Sequence, residues 1–210
     1  MNEDSSEVLR LVQKLGTADQ QAVADLFNRY RPRLRRMVKL RLDRRLQGRV
    51  DPSDVLQEAY LDVVTRARDY AANPSMSFFL WLRFLTGQRL LVVHRHHLGC
   101  KMRDAGQEVS LHHGPLPPAS SMSLAEHLLG RFSSPSLAAV RAEMRLRLQE
   151  ALNSMDALDR EVLVLRHFEE LSNGETARAL GLQKTAASNR YIRALKRLKD
   201  VLSGMPGFEC

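Results

Sequence analysis

"SNGETARALGLQKTAASNRYIRALKRL", Ser172 to Leu198, is the stretch whose reading decides the fold. Thr176, Ala177 and Leu180 recur at helical spacing, and Gly181 permits a tight turn. Leu182 then points back toward the core, and a second helix is expected to begin near Lys184. Helices of about eight and about twelve residues, joined by a glycine-containing turn, form the helix-turn-helix pattern. Small Ala177 lets the two helices approach closely. The second helix carries Lys184, Arg190, Arg193, Lys196, Arg197 and Lys199 before its first acid, Asp200. Short polar Thr185, Ser188 and Asn189 sit in its N-terminal half, the end that enters a major groove in such motifs. Longer cations further along suit phosphates. A solvated basic helix in an unrelated bundle has the same composition, so the motif needs support from the rest of the chain.

Upstream of it, residues 137–203 keep a regular helical pattern: Leu146, Leu148, Leu152 and Met155 lead into "LDREVLVLRHFEELS". Before that the pattern fades. "HHGPLPPASSMS" and "RFSSPS" are rich in Pro, Ser and Gly, so residues 101–136 read as a linker, with a short helix around Leu124 to Leu129.

The N-terminal part is again helical. Val8, Leu11, Val12 and Leu15 precede Gly16 as a stop, and Asp19 is placed to cap a helix with Val23, Leu26, Phe27 and Tyr30 at helical spacing. From Arg29 to Arg49 the chain has ten Lys or Arg and one acid, Asp43. Leu34, Met37, Val38, Leu42 and Leu46 hold the helical period through this run, which makes it an amphipathic helix with a cationic outer face. Pro32 marks a kink or a helix start. In "VDPSDVLQEAYLDVVTRARDY", Asp51 or Ser53 caps, with Pro52 in the first turn. Leu56, Tyr60, Val63, Val64 and Ala67 form an apolar stripe. Asp54, Gln57, Glu58 and Leu61 form a second face, acidic and polar yet carrying a leucine. After the breaker "AANPSMS", the apolar helix "FFLWLRFLTGQRLLVVHRHHLG" holds the only tryptophan, Trp81, and ends basic at Gly99.

The expected fold is therefore all-α: two small helical domains, 1–100 and 137–204, joined by a flexible linker, 101–136, with a C-terminal helix-turn-helix. The chain has 210 residues, 44% of them apolar, 6% aromatic, and a formal net charge of +8. The isoelectric point near 10.0 suggests an acidic partner, nucleic acid first and an anionic membrane second. No apolar run spans a bilayer, and "MNEDSSEVLR" is too acidic and polar for a signal peptide. Two distant cysteines do not suggest a disulfide framework. A soluble, cytoplasmic protein without membrane insertion is expected. No phosphate-binding glycine loop, nucleophile motif or triad points to an enzyme, and no cofactor is implied.

This order of parts resembles bacterial RNA polymerase sigma factors of the sigma-70 family, closest to the small extracytoplasmic-function (ECF) type. The likeness runs over about Val23 to Leu98 for region 2 and Leu137 to Leu202 for region 4, in a variety common among planctomycete-type bacteria. The resemblance implies that "DVLQEAYL" docks on the clamp helices of the polymerase's largest catalytic subunit. Asp54 and Glu58, with Asp62, would supply charge complementarity, Gln57 hydrogen bonds and Leu61 an apolar anchor. It implies that the loop Asp69 to Ser77 and the following helix melt and hold the −10 element, with Arg83, Gln88, Arg89, His94, Arg95 and His96 toward phosphate. Trp81 reads as core or as a stacking residue. Family members often have a basic residue followed by Asn in this helix; here Gly87-Gln88 stands there. In region 4 the resemblance gives Lys184, Thr185, Ser188 and Asn189 to the −35 element and Arg190, Arg193 and Arg197 to its backbone. Implied partners are core RNA polymerase (clamp helices and flap region), promoter DNA and an anti-sigma factor. A conventional helix-turn-helix regulator that binds duplex DNA alone is the alternative.

"VVHRHHLGC", Val92 to Cys100, poses a separate question. His96 and Cys100 are four apart and His112 and His113 follow, but structural zinc needs four ligands. The preferred reading is a polar, partly cationic helix end facing DNA phosphate, strengthened by protonation below roughly pH 6.5, with no metal.

Overall fold

The computed structural model describes residues 10–15, 19–98, 116–129 and 138–203. Gly16, Gly99, Cys100, His112, His113, Cys210 and most of the expected linker lie outside the described residues. Among the described residues there are helices and no strands. The chain divides into two compact units at Pro117/Pro118.

The first unit is built on α1 (Gln20–Arg41), α2 (Pro52–Ala72) and α3 (Phe78–Leu98). Asp19 caps α1, accepting from the backbone N–H groups of Gln21 and Ala22 at 3.0 and 3.2 Å. Pro32 lies inside α1 and does not start a helix; the helix runs through it to Arg41. The apolar period keeps its promise: Val23, Leu26, Phe27, Leu34, Met37, Val38, Leu42 and Leu46 are all buried. Asp51, not Ser53, caps α2, accepting from the Ser53 N–H at 2.7 Å. Val55, Leu56, Ala59, Val63 and Ala67 bury the inner side of α2, and Phe27 meets Tyr60 edge-on at 5.0 Å. Between α2 and α3, Tyr70 stacks on Trp81 at 4.6 Å and donates its hydroxyl to the Met76 carbonyl at 2.8 Å. Burial pushes the Tyr70 phenol up to about 12.

The second unit holds α4 (Ser121–Leu129), α5 (Ala138–Asn153), α6 (Ala157–Leu163), α7 (Asn173–Leu180) and α8 (Lys184–Ser203). The short helix expected inside the 101–136 linker is α4. It buries Leu124, Ala125 and Leu129 and packs on α5, so this part of the span belongs to the second unit. Leu146, expected in the apolar series of α5, is 54% exposed, while Leu148 and Leu152 are buried. α6 widens into a π turn over Val164–Phe168, closed by the Glu169 N–H on the Val164 carbonyl at 3.0 Å. Ser172 and Glu175 form a reciprocal capping box at the start of α7. Gly181 takes the left-handed conformation, φ 63°, and the Leu182 N–H returns to the Ala177 carbonyl at 2.8 Å. The helix-turn-helix is therefore present as read, except that its second helix has 20 residues.

Candidate functional site

Three helix faces carry the residues singled out from sequence. On α2, Asp54, Gln57, Glu58 and Leu61 lie at i, i+3, i+4 and i+7, on one side of the helix. All are exposed, Leu61 by 59%. Asp54 and Glu58 make no ion pair among the described residues. Asp62, grouped with them from sequence, is turned away. Both its oxygens accept from Arg89 of α3, Nη2 at 2.5 Å and Nε closer still. The Arg89 hydrogen bonds hold the Asp62 carboxyl below the usual range. Asp62 thus ties α2 to α3 and is no part of the open face.

On α3 the expected phosphate-facing set is scattered. At about 100° per residue, Arg83 and His94 fall on one side, Gln88 and Arg95 on a second, Arg89 and His96 on a third. Arg83 is buried, 8% exposed, because its side of α3 faces the core. Arg89 is taken by Asp62. His94 is half-buried, and its Nε2 accepts the Asp43 backbone N–H at 3.2 Å. That bond requires the neutral ring, and burial lowers the imidazole's pKa despite nearby Asp43. The expected strengthening by protonation does not extend to His94, whose ring holds the turn after α1. Asp43 itself is pulled to about 2, chiefly by the Arg45 side chain. Of the six residues, Arg95 and His96 are exposed and Gln88 is half-exposed. With half-buried Trp81 and exposed Val92 they form an open stripe of α3, and exposed His97 lies on another side. Val92 was not singled out from sequence. Among the described residues no three His, Cys, Asp or Glu side chains gather as a metal site, and no helix is long and apolar enough to cross a membrane.

The Gly87 departure also has a structural counterpart. Gly87 is buried, and a Cβ there would lie 1.8 Å from Leu116 Cδ2. The neighbouring Pro117 carbonyl accepts from buried Arg41 Nη1 at 2.8 Å. The glycine makes room for Leu116, which returns to the middle of α3.

On α8, Ala187, Ala194 and Leu198 face inward. Thr185, Asn189, Ile192 and Lys196 lie opposite and are exposed, with Lys184 exposed and Ser188 half-buried beside them. Ile192, 60% exposed, stands in the middle of this outward face and was not singled out from sequence. The three arginines expected on DNA backbone share one flank, and each is hydrogen-bonded within the unit. Arg190 Nη1 donates to Asp159 Oδ1 at 2.6 Å and to Asp156 Oδ1 at 3.2 Å. Arg193 Nη2 donates to Asp159 Oδ1 at 3.1 Å, and Arg197 Nη2 to Ser154 Oγ at 3.2 Å.

Comparison with known proteins fits this arrangement. Residues 145–198, which hold the helix-turn-helix, match the family described as Sigma-70, region 4. The chain is 28% identical over 182 residues, 87% of its length and 77% of the relative's, to the ECF RNA polymerase sigma factor SigD of Mycobacterium tuberculosis. A stretch of 58 residues, 28% of this chain and 33% of the relative's, is 40% identical to the RNA polymerase sigma-E factor of Streptomyces coelicolor. Among solved structures, a chain from "Structure of CnrH in complex with the cytosolic domain of CnrY" shares the all-α fold. Its TM-score is 0.53 at 21% identity, covering 92% of this chain and 95% of that one.

Proposed function

We propose that the chain is an ECF-type sigma factor that lends promoter specificity to bacterial RNA polymerase and catalyses nothing itself. The observation that carries this reading is the open face of α2. In a chain with 32 Lys and Arg, Asp54 and Glu58 stay unpaired and flank an exposed leucine. Such a face suits a basic helical partner, with Leu61 as its apolar anchor. The clamp helices of the polymerase's largest catalytic subunit are that partner in this proposal, with the flap region a further contact for the second unit.

The 1–100 domain then serves the polymerase and the −10 element, and the 137–204 domain the −35 element. On α3 the strand-holding surface is the open stripe of Trp81, Gln88, Val92, Arg95 and His96, which offers both flat apolar area and charge. Arg83, Arg89 and His94 leave that role, because each is buried or engaged. On α8 the exposed Lys184, Thr185 and Asn189, with half-buried Ser188 beside them, read the −35 element. The complex of the similarly folded CnrH chain with a cytosolic domain supports a protein partner here too, of the anti-sigma class. The planctomycete-type affinity and a cytoplasmic location belong to the same proposal.

Reconstitution tests it. The purified protein, mixed with bacterial core polymerase, is expected to co-elute and to start run-off transcripts from a genomic fragment library. Duplex binding by the protein alone without polymerase association would make it a conventional helix-turn-helix regulator.

A further inference from the structure

We propose that Asp159 stands in for a DNA phosphate in the free protein: its carboxylate holds two arginines of α8 and thereby limits sequence-independent duplex binding. The inference rests on reading α8 as the DNA-binding helix, and it makes Asp159 a positioning residue that sets specificity through Arg190 and Arg193.

One oxygen of Asp159 accepts from Arg190 at 2.6 Å and from Arg193 at 3.1 Å. Carboxylates and phosphates accept the guanidinium fork in the same way, so a phosphate reaching this flank must compete with Asp159. The competitor is fixed: the Asp159 side chain is 14% exposed, whereas Arg193 is 62% exposed and borders the outward face. Asp156 is a lesser partner. Its Oδ1 already accepts the Leu158 and Asp159 backbone N–H groups as the cap of α6, and of the two arginines it accepts a hydrogen bond from Arg190 alone.

The consequence is an uneven helix. Lys196 and Lys199 make no ion pair among the described residues and are ready for phosphate. On the arginine flank, exchanging a carboxylate for a phosphate replaces one charge-assisted contact by another and gains little. Binding to any duplex is thus weakened, while Thr185 and Asn189, which read bases, are untouched. A recognition helix so restrained depends on polymerase or on the correct sequence to make up the difference.

The test uses the full chain and a random-sequence duplex, with binding followed by anisotropy across a salt series. Asp159→Asn keeps the volume and removes the charge. It is expected to bind the duplex about three- to thirtyfold more tightly, with the slope of log K against log salt steeper by about 1 to 2, since each phosphate contact adds roughly 0.9. Asp159→Glu is expected to keep the wild-type slope. Adding Arg193→Gln to Asp159→Asn is expected to remove about half of the gain. Weaker binding by Asp159→Asn at unchanged slope would overturn the proposal, because Asp159 would then only brace the helix. Should Asp159→Asn not fold, arginine side-chain NMR of the wild-type protein decides. Hindered guanidinium rotation at Arg190 and Arg193 is expected, and free rotation refutes the stand-in. Lys196→Gln and Lys199→Gln separate the two ideas: if neither lowers duplex affinity in the wild-type background, the reading of α8 itself fails.

Discussion

On α2, Asp54 and Glu58 reach into solvent without an ion pair among the described residues; on α8, Arg190, Arg193 and Arg197 each find a hydrogen-bond partner inside their own unit. Both helices are amphipathic, and both carry charge on their outer sides. The difference lies in supply. Arginine has five donors in a planar fork and a long stem, so an acid or hydroxyl on a neighbouring helix satisfies it readily. An acid left open in a chain of net charge +8 has avoided many possible partners. The open acids therefore say more about an external ligand than the abundant cations do. The same rule separates Asp62 from Asp54 and Glu58 on a single helix: Asp62 accepts both hydrogen bonds of Arg89, while Asp54 and Glu58 form no ion pair among the described residues and Glu58 only adds its field to Arg89.

The strongest way to break this contrast is charge reversal. Asp54→Lys with Glu58→Lys is expected to weaken association with core polymerase at least about 100-fold, or about 2.7 kcal/mol. Because both sites are exposed, the melting curve should barely move. Co-elution at wild-type strength would reduce the α2 face to ordinary solvated surface. Leu61→Ala sharpens the same point, with an expected loss of about tenfold.

Next in size is the Gly87 notch. Gly87→Leu is expected to destabilise the first unit by about 1–3 kcal/mol through overpacking, and Leu116→Ala in the same chain should recover part of it. Strict additivity in denaturant titrations would show that Leu116 does not sit there in solution. In the second unit, Ser172→Ala removes a reciprocal cap and should lower stability by about 1 kcal/mol, seen as an earlier melt of the helix-turn-helix. An unchanged melt would mean that the α8 contacts alone hold α7.

The smallest effect is a pH dependence. Burial keeps His94 neutral in the folded chain, whereas the unfolded chain takes up a proton near pH ~6.5. The stability tied to His94 is thus full above that pH and lost as pH falls through the lower folded value. Melting of the first unit at pH 7.5 and pH 5 should show the loss, and His94→Gln should reduce it. Equal losses in both proteins would remove His94 from the account. The Asp62–Arg89 pair follows the same sign at lower pH: present above about pH 3.8, it fades as acid protonates Asp62 below its depressed pKa.

Much of this was legible in the chain. The apolar period of α1 survived ten cations and ended buried, and Gly181 fell in the turn where the pattern required it. The open face of α2 was read residue by residue, apart from Asp62. The six α3 residues that the resemblance turned toward phosphate do not share one side. Helix residues wind about 100° at each step, so a run of polar letters near a C-terminus cannot share one side. That much the sequence already contained. That Arg83 faces core, that His94 caps a turn 51 residues earlier, and that Leu116 needs Gly87 were not contained in any local pattern.

The sequence by itself determined where helices start and stop and which of their sides are apolar, because capping, turn chemistry and the 3.6-residue period act within a few residues. Only the tertiary structure decided which charges remain open. Arg89 meets Asp62 across 27 residues, and Arg190 meets Asp159 across 31. A side chain's charge is written in the sequence, but its partner is chosen by packing, since an ion pair forms wherever two helices bring opposite charges within about 4 Å.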